Sequence, residues 1–84
     1  MEKNIKNYQF NIIRNENETA KTFSVYAHDK KEAKDLMRRV CLVFDWLAFD
    51  FRNTKRVDNQ DYAKHYYDSQ LEKLDEYERR KRFN

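Results

Sequence analysis

The stretch Trp46-Leu47-Ala48-Phe49-Asp50-Phe51-Arg52 carries two periodicities at once, and the fold depends on which one wins. At helical spacing, Leu47 and Phe51 extend a stripe that begins with Ala33, Leu36, Met37, Val40 and Phe44. At period two, Leu47, Phe49 and Phe51 alternate with Ala48, Asp50 and Arg52, which is the pattern of a strand. No Gly or Pro interrupts residues 33–51, so the helical reading is favoured. A two-stranded hairpin alone is marginal in water, which argues for the strand. The expected architecture is therefore α+β, an N-terminal β-hairpin followed by two helices (ββαα) of matched length, as in an αα-hairpin. The alternative is ββαβα, with a third strand near residues 46–52.

Upstream, Tyr8, Phe10 and Ile12 alternate with Gln9, Asn11 and Ile13. Phe23, Val25 and Ala27 alternate with Ser24, Tyr26 and His28. Between these strands, Asn15-Glu16-Asn17-Glu18-Thr19 is a turn in which Asn supplies the left-handed conformation without Gly. Asp29-Lys30-Lys31-Glu32 has the spacing of a capping box and opens the first helix. Downstream, a second helix begins near Asp58 or Asp61. It sets Ala63, Tyr67, Leu71 and Leu74 on one face, with Tyr66 and Tyr77 beside them. Asp75 with Arg79, Glu76 with Arg80 and Glu78 with Arg82 are acid-before-base pairs at helical spacing.

The whole chain of 84 residues reads as one small domain, residues 1–84. It contains no Gly, which excludes phosphate-cradling loops, dinucleotide fingerprints and nucleophile elbows, because each needs glycine for close backbone approach or a sharp turn. The lone Cys41 forms no internal disulfide, no apolar run is long enough to span a membrane, and the N-terminus lacks a signal peptide's apolar core. These features point to a cytoplasmic protein with no membrane association. Thirteen aromatic residues give so short a chain ample area to bury, which argues against disorder.

Catalytic and metal chemistry find little footing. Cys41, His28 and His65 are the only thiol or imidazole ligands, and none stands at metal-ligand spacing, so no metal and no cofactor are expected. Asp45 and Asp50 flank Trp46, but fifteen acidic residues make some such pair inevitable. No enzyme activity is expected. Charge is more suggestive, although the net value is only +3. Lys31, Lys34 and Arg38 fall within about 60° on the first helix, with Arg39 at the edge of that group. Lys55 and Arg56 lie in the expected loop, and Arg79, Arg80 and Arg82 form a second cluster. Such groups contact phosphates or acidic surfaces, although a solvated helix face carries Lys and Arg in any case. On the helical reading, Leu42, Trp46 and Phe49 form a second apolar stripe opposite Val40, Phe44 and Leu47. Either the second helix covers it or a partner does, with Tyr62, Tyr66 and Tyr77 extending the surface.

The segment Val25-Tyr26-Ala27-His28-Asp29 followed by Glu32-Ala33-Lys34 resembles the hairpin-plus-helix core of several anti-CRISPR inhibitors from phages and mobile elements. The resemblance covers residues 22–40, and abundant Lys and Asn fit an AT-rich genome of that kind. It implies a non-enzymatic inhibitor in the host cytoplasm that binds a host protein or ribonucleoprotein complex and blocks nucleic-acid access or assembly. The residues alone leave two other readings open: a small basic nucleic-acid-binding regulator, and an oligomeric accessory subunit such as a homodimer.

Overall fold

A computed structural model describes residues 4–83. The alternating residues near the N-terminus form β1 (Lys6–Ile13), which buries Tyr8, Phe10 and Ile12 on one face and turns Asn7, Gln9 and Asn11 to the other. It pairs antiparallel with β2 (Lys21–Ala27), setting Tyr8 opposite Val25 and Phe10 opposite Phe23. The connecting turn closes through an Asn side chain rather than a left-handed residue. Asn15 Oδ1 accepts the Asn17 N–H at 3.0 Å, and the Glu18 N–H reaches the Asn15 carbonyl at 3.3 Å. Such an Asx turn reverses the chain without positive φ, and among the described residues Asp45 alone has positive φ.

Helix α1 (Lys30–Phe44) starts where its capping signal places it. Asp29 is extended (φ −153°, ψ 172°), and its carboxylate accepts the Glu32 N–H at 2.8 Å. Glu32 reaches back one residue further than a standard capping box and accepts the His28 N–H at 2.7 Å. Ala33, Leu36, Met37 and Val40 bury the inner face of α1 against the sheet.

The helix does not continue through residue 51. It stops at Asp45, which takes the left-handed conformation (φ 56°, ψ 37°), and the Trp46 N–H donates to the Cys41 carbonyl at 3.0 Å. That six-to-one bond is the signature of a Schellman motif, and Asp is one of the few non-glycine residues that visits this conformation readily. The chain then forms β3 (Ala48–Lys55), so the ββαα expectation is corrected to ββαβα. Strand β3 pairs antiparallel with β1 and completes a sheet of order β2-β1-β3. The physical reason is core coverage. In the strand, Phe49 and Phe51 both stand edge-on to the fully buried Phe10, at 5.9 and 5.8 Å between ring centroids. The price of switching period falls on Phe44 and Leu47, which the helical stripe assigned to the core and which are 43% and 57% exposed.

Helix α2 (Gln60–Phe83) begins at Asn59, whose side chain accepts the Tyr62 N–H at 3.0 Å. Because β3 returns the chain to the start of β1, the two helices run parallel, not as an αα-hairpin. Tyr67 meets Glu32, Asp75 and Glu78 meet Arg39, and Lys81 meets Leu42 and Asp45, so contacts ascend both helices together. The expected local pairs of Asp75 with Arg79 and Glu78 with Arg82 yield to Arg39, while the Glu76–Arg80 pair forms at 2.6 Å.

Candidate interaction surface

The two ends of the α1–α2 seam are chemically opposite. At the N-terminal end, one carboxylate organises three donors. Glu32 accepts the His28 N–H at 2.7 Å, faces His28 Nδ1 at 3.0 Å and accepts the Tyr67 hydroxyl at 2.7 Å. Partial burial alone would raise the Glu32 pKa, but the bonds from His28 and Tyr67 outweigh it and hold the carboxyl below its ordinary range. Burial, reinforced by the bond to Glu32, pushes the Tyr67 hydroxyl up to about 12. Glu32 is thus ionised and Tyr67 protonated near neutral pH, and their hydrogen bond ties α1 to α2 in a polar knot. Nearby, Gln60 doubles as a strand mimic: its Oε1 accepts the Ile5 N–H at 2.8 Å and its Nε2 donates to the Ile5 carbonyl at 3.0 Å.

At the C-terminal end the seam opens into an apolar cavity of about 330 Å³ between β2, α1 and α2. Its floor comprises Val25, Leu36, Val40 and Leu74, and its rim is built by Phe23, Phe44, Trp46 and Tyr77. The rim residues brace each other. Phe44 stacks on Trp46 at 5.3 Å, Phe23 stands edge-on to Trp46 at 5.3 Å, and Tyr77 stands edge-on to Phe44 at 5.1 Å. Leu42 is 72% exposed, and with Leu47 it continues the apolar character around the end of α1. Lys81 closes the last turn of that helix from a distance. Its ammonium donates to the carbonyls of Leu42 and Val43 and pairs with Asp45 at 2.9 Å, supplying the cation that α1 lacks in its own last turn.

The aromatic residues singled out from the sequence divide between two places. Trp46 and Tyr77 both line the cavity, while Leu42 is exposed and does not line it. Phe49 leaves this group: in a strand its side chain turns to the core face, against Phe10. Tyr62 and Tyr66 form a separate cluster at 4.5 Å, and Tyr66 stacks on Tyr26 of β2 at 5.7 Å. Sequence reasoning missed Phe44 and Phe23 as rim residues and Lys73 as a lining residue. Their pattern reads as core or as surface, and only the early stop of α1 brings them together.

Of the basic residues, Lys31, Lys34 and Arg38 line one shallow groove on the outer face of α1, joined by Lys30 and a single acid, Asp35. Arg38 bonds Asp35 at 2.6 Å, and the Lys30 ammonium sits 4.1 Å from the Phe51 ring centroid. Arg39 leaves the group to bind Asp75 and Glu78, and these contacts raise its own pKa. Lys55 ends β3, Arg56 pairs with Asp58 at 2.9 Å, and Arg79, Arg80 and Arg82 stand exposed on the last turns of α2. Burial pushes the Cys41 thiol up, which keeps it protonated and a poor nucleophile. Among the described residues, no three His, Cys, Asp or Glu side chains gather as a metal-binding group, and no helix is long and apolar enough to cross a membrane. The chain matches no known protein family, curated protein or solved structure.

Proposed function

We propose that this protein is a non-catalytic binding module that acts by occupying a surface on a macromolecular partner. The observation that carries the reading is the solvent-accessible aromatic corner of Phe44, Trp46 and Tyr77 bordering an apolar cavity, together with the exposed Leu42 and Leu47 at the end of α1 and just after it. Water-exposed aromatic and aliphatic area of this kind is a cost to an isolated domain and a source of affinity in a complex. The finer reading is an inhibitor of the anti-CRISPR type, acting on a host ribonucleoprotein or nuclease. It rests on the hairpin-plus-helix pattern of residues 22–40. The test uses the tagged protein as bait in a bacterial lysate beside its Leu42→Asp/Leu47→Asp variant. Both positions are exposed, so the variant folds. A partner held in a fixed ratio by the parent and released by the variant supports the reading, and equal capture by both overturns it.

A second reading, a nucleic-acid-binding regulator, is favoured by one observation: four cations and a single acid share the groove on α1. Phosphate contacts there would give an affinity that falls with salt, with a slope of ~0.9 per phosphate neutralised on duplex DNA. Absence of binding to duplex or single strands at low salt, or binding unchanged by Lys31→Glu/Lys34→Glu, removes this reading.

A further inference from the structure

Strand β2 is an edge of the sheet, and its outward backbone groups are only partly used. The amide of Gln70 reaches across from α2 to Tyr26, accepting its N–H at 2.9 Å and donating to its carbonyl. Both groups of Tyr26 therefore point away from β1. By the two-residue repeat of a strand, those of Ser24 and Thr22 point the same way. Among the described residues no hydrogen bond engages the backbone N–H or C=O of either on that side. Beyond Gln70 along α2 lies the apolar cavity, lined by Phe23, Ser24 and Val25 on one side and Lys73, Leu74 and Tyr77 on the other. Lys73 is the only charged residue of the lining, and among the described residues it has no ion-pair partner.

The other edge of the sheet is different. Strand β3 has a bulge opposite Gln9 and Phe10 and carries Asp50, Arg52 and Lys55, devices that blunt strand pairing. Resting on the binding reading above, we propose that the β2 edge accepts an extended peptide segment of the partner as a short fourth strand. It pairs with Thr22 and Ser24, places one bulky apolar side chain in the cavity and sets an acidic residue against Lys73. Backbone pairing supplies affinity, and the cavity and the cation supply specificity, as in other cases of strand addition. Gln70 fixes the register because it already occupies the pairing groups of Tyr26, so the added strand ends there. Charge decides the occupant: a peptide with Lys or Arg beside its anchor would meet Lys73, an exposed cation without an ion-pair partner among the described residues, whereas one with Asp or Glu there would pair with it.

The test is a titration of the full chain with capped heptapeptides of Thr and Ser that carry a central Phe, Leu or Val flanked by Glu. The readout is the emission of Trp46, the only tryptophan, which stands on the cavity rim. Saturable change is expected with the acidic series, and binding about tenfold weaker when Lys replaces Glu. Ser24→Pro removes one outward N–H at a position where an edge strand tolerates proline. It should weaken binding by about tenfold or more with the circular dichroism unchanged. Peptides N-methylated at alternate positions make the same test from the ligand's side if that variant does not fold. Lys73→Glu should reverse the preference toward the Lys-flanked series. No saturable change with any peptide, or equal binding by Ser24→Pro and by N-methylated peptides, overturns strand addition. A lysate partner retained by Ser24→Pro yet lost by Leu42→Asp/Leu47→Asp also overturns it while leaving the binding reading intact. A failed binding reading shows instead as equal capture by parent and Leu variant.

Discussion

The two ends of the α1–α2 seam are held together by different physics. At the N-terminal end polar side chains bridge separate parts of the chain: Glu32 bonds Tyr67, and Gln60 bonds the backbone of Ile5. At the C-terminal end, polar contact is confined to the outside, through Arg39 and Lys81, while the interior is an apolar cavity with an aromatic rim. A directional network fixes one geometry, and the groove of about 670 Å³ beside it is lined mainly by polar and charged residues, among them His28, Asp29, Asp61, Lys64 and Asp68. Apolar packing is non-directional and tolerates opening, which is why the proposed docking site lies at the second end.

The sharpest way to break this contrast is at the knot. Glu32→Ala strips partners from the His28 N–H and the Tyr67 hydroxyl together, and should cost about 2 kcal/mol in urea unfolding. The same variant should return the Tyr67 titration, followed by ultraviolet absorbance, from about 12 toward its ordinary 10.0. Because the folded pKa of Tyr67 is raised, the stability it contributes is full below 10.0 and is lost as pH rises from there to about 12. Glu32 has the opposite sign. Its folded pKa is depressed, so its contribution is full above the ordinary carboxylate range and is lost as pH falls through the lower folded value. The melting temperature should thus fall at both extremes of pH in the parent. In Glu32→Ala the acid-side loss through Glu32 disappears, while the alkaline loss through Tyr67 shrinks but persists, because burial still raises its hydroxyl.

At the other end the expected losses of stability are smaller. Trp46→Ala removes a half-buried ring that braces Phe23 and Phe44, and should cost about 1–2 kcal/mol, below the range for a fully buried aromatic. A loss of about 3 kcal/mol or more, the range of a fully buried aromatic, would place Trp46 in the core and weaken the reading of this corner as a rim. Lys81→Ala uncaps α1 across exposed contacts, so no more than about 0.5 kcal/mol is expected, and less at high salt. The smallest effect belongs to Leu47→Ala, which should fall within about 0.5 kcal/mol of the parent because Leu47 is largely solvated.

Much of the local structure was readable from the residues. The hairpin, the start of α1 at Asp29 and the inner stripe of Ala33, Leu36, Met37 and Val40 each follow from a pattern confined to a few neighbours. The end of α1 was not readable, because residues 46–52 satisfy both periods and Asp45 breaks the helix without Gly or Pro. The deciding contact, Phe10 against Phe49 and Phe51, joins positions far apart in the chain. The same limit explains the ion pairs. Spacing along α2 offered Arg79 and Arg82 to Asp75 and Glu78, but Arg39 of α1 bonds both from a half-buried position, where ionic hydrogen bonds are stronger. As for the surface, Trp46 and Tyr77 come together at the cavity while Leu42 stands apart from its lining, and Phe49 turns to the core once residues 48–55 form a strand.

The cap that Lys81 places on α1 has a consequence for how the chain is made. Residue 81 finishes a helix whose own last residue is Phe44, so a growing polypeptide presents that helix end before its cap has been synthesised. Through that interval the Phe44–Trp46 corner also lacks Tyr77, and the cavity lacks the wall contributed by α2. The nascent chain therefore leaves this aromatic corner uncovered until α2 has been made. A chaperone, or an early encounter with the partner, would find its foothold there.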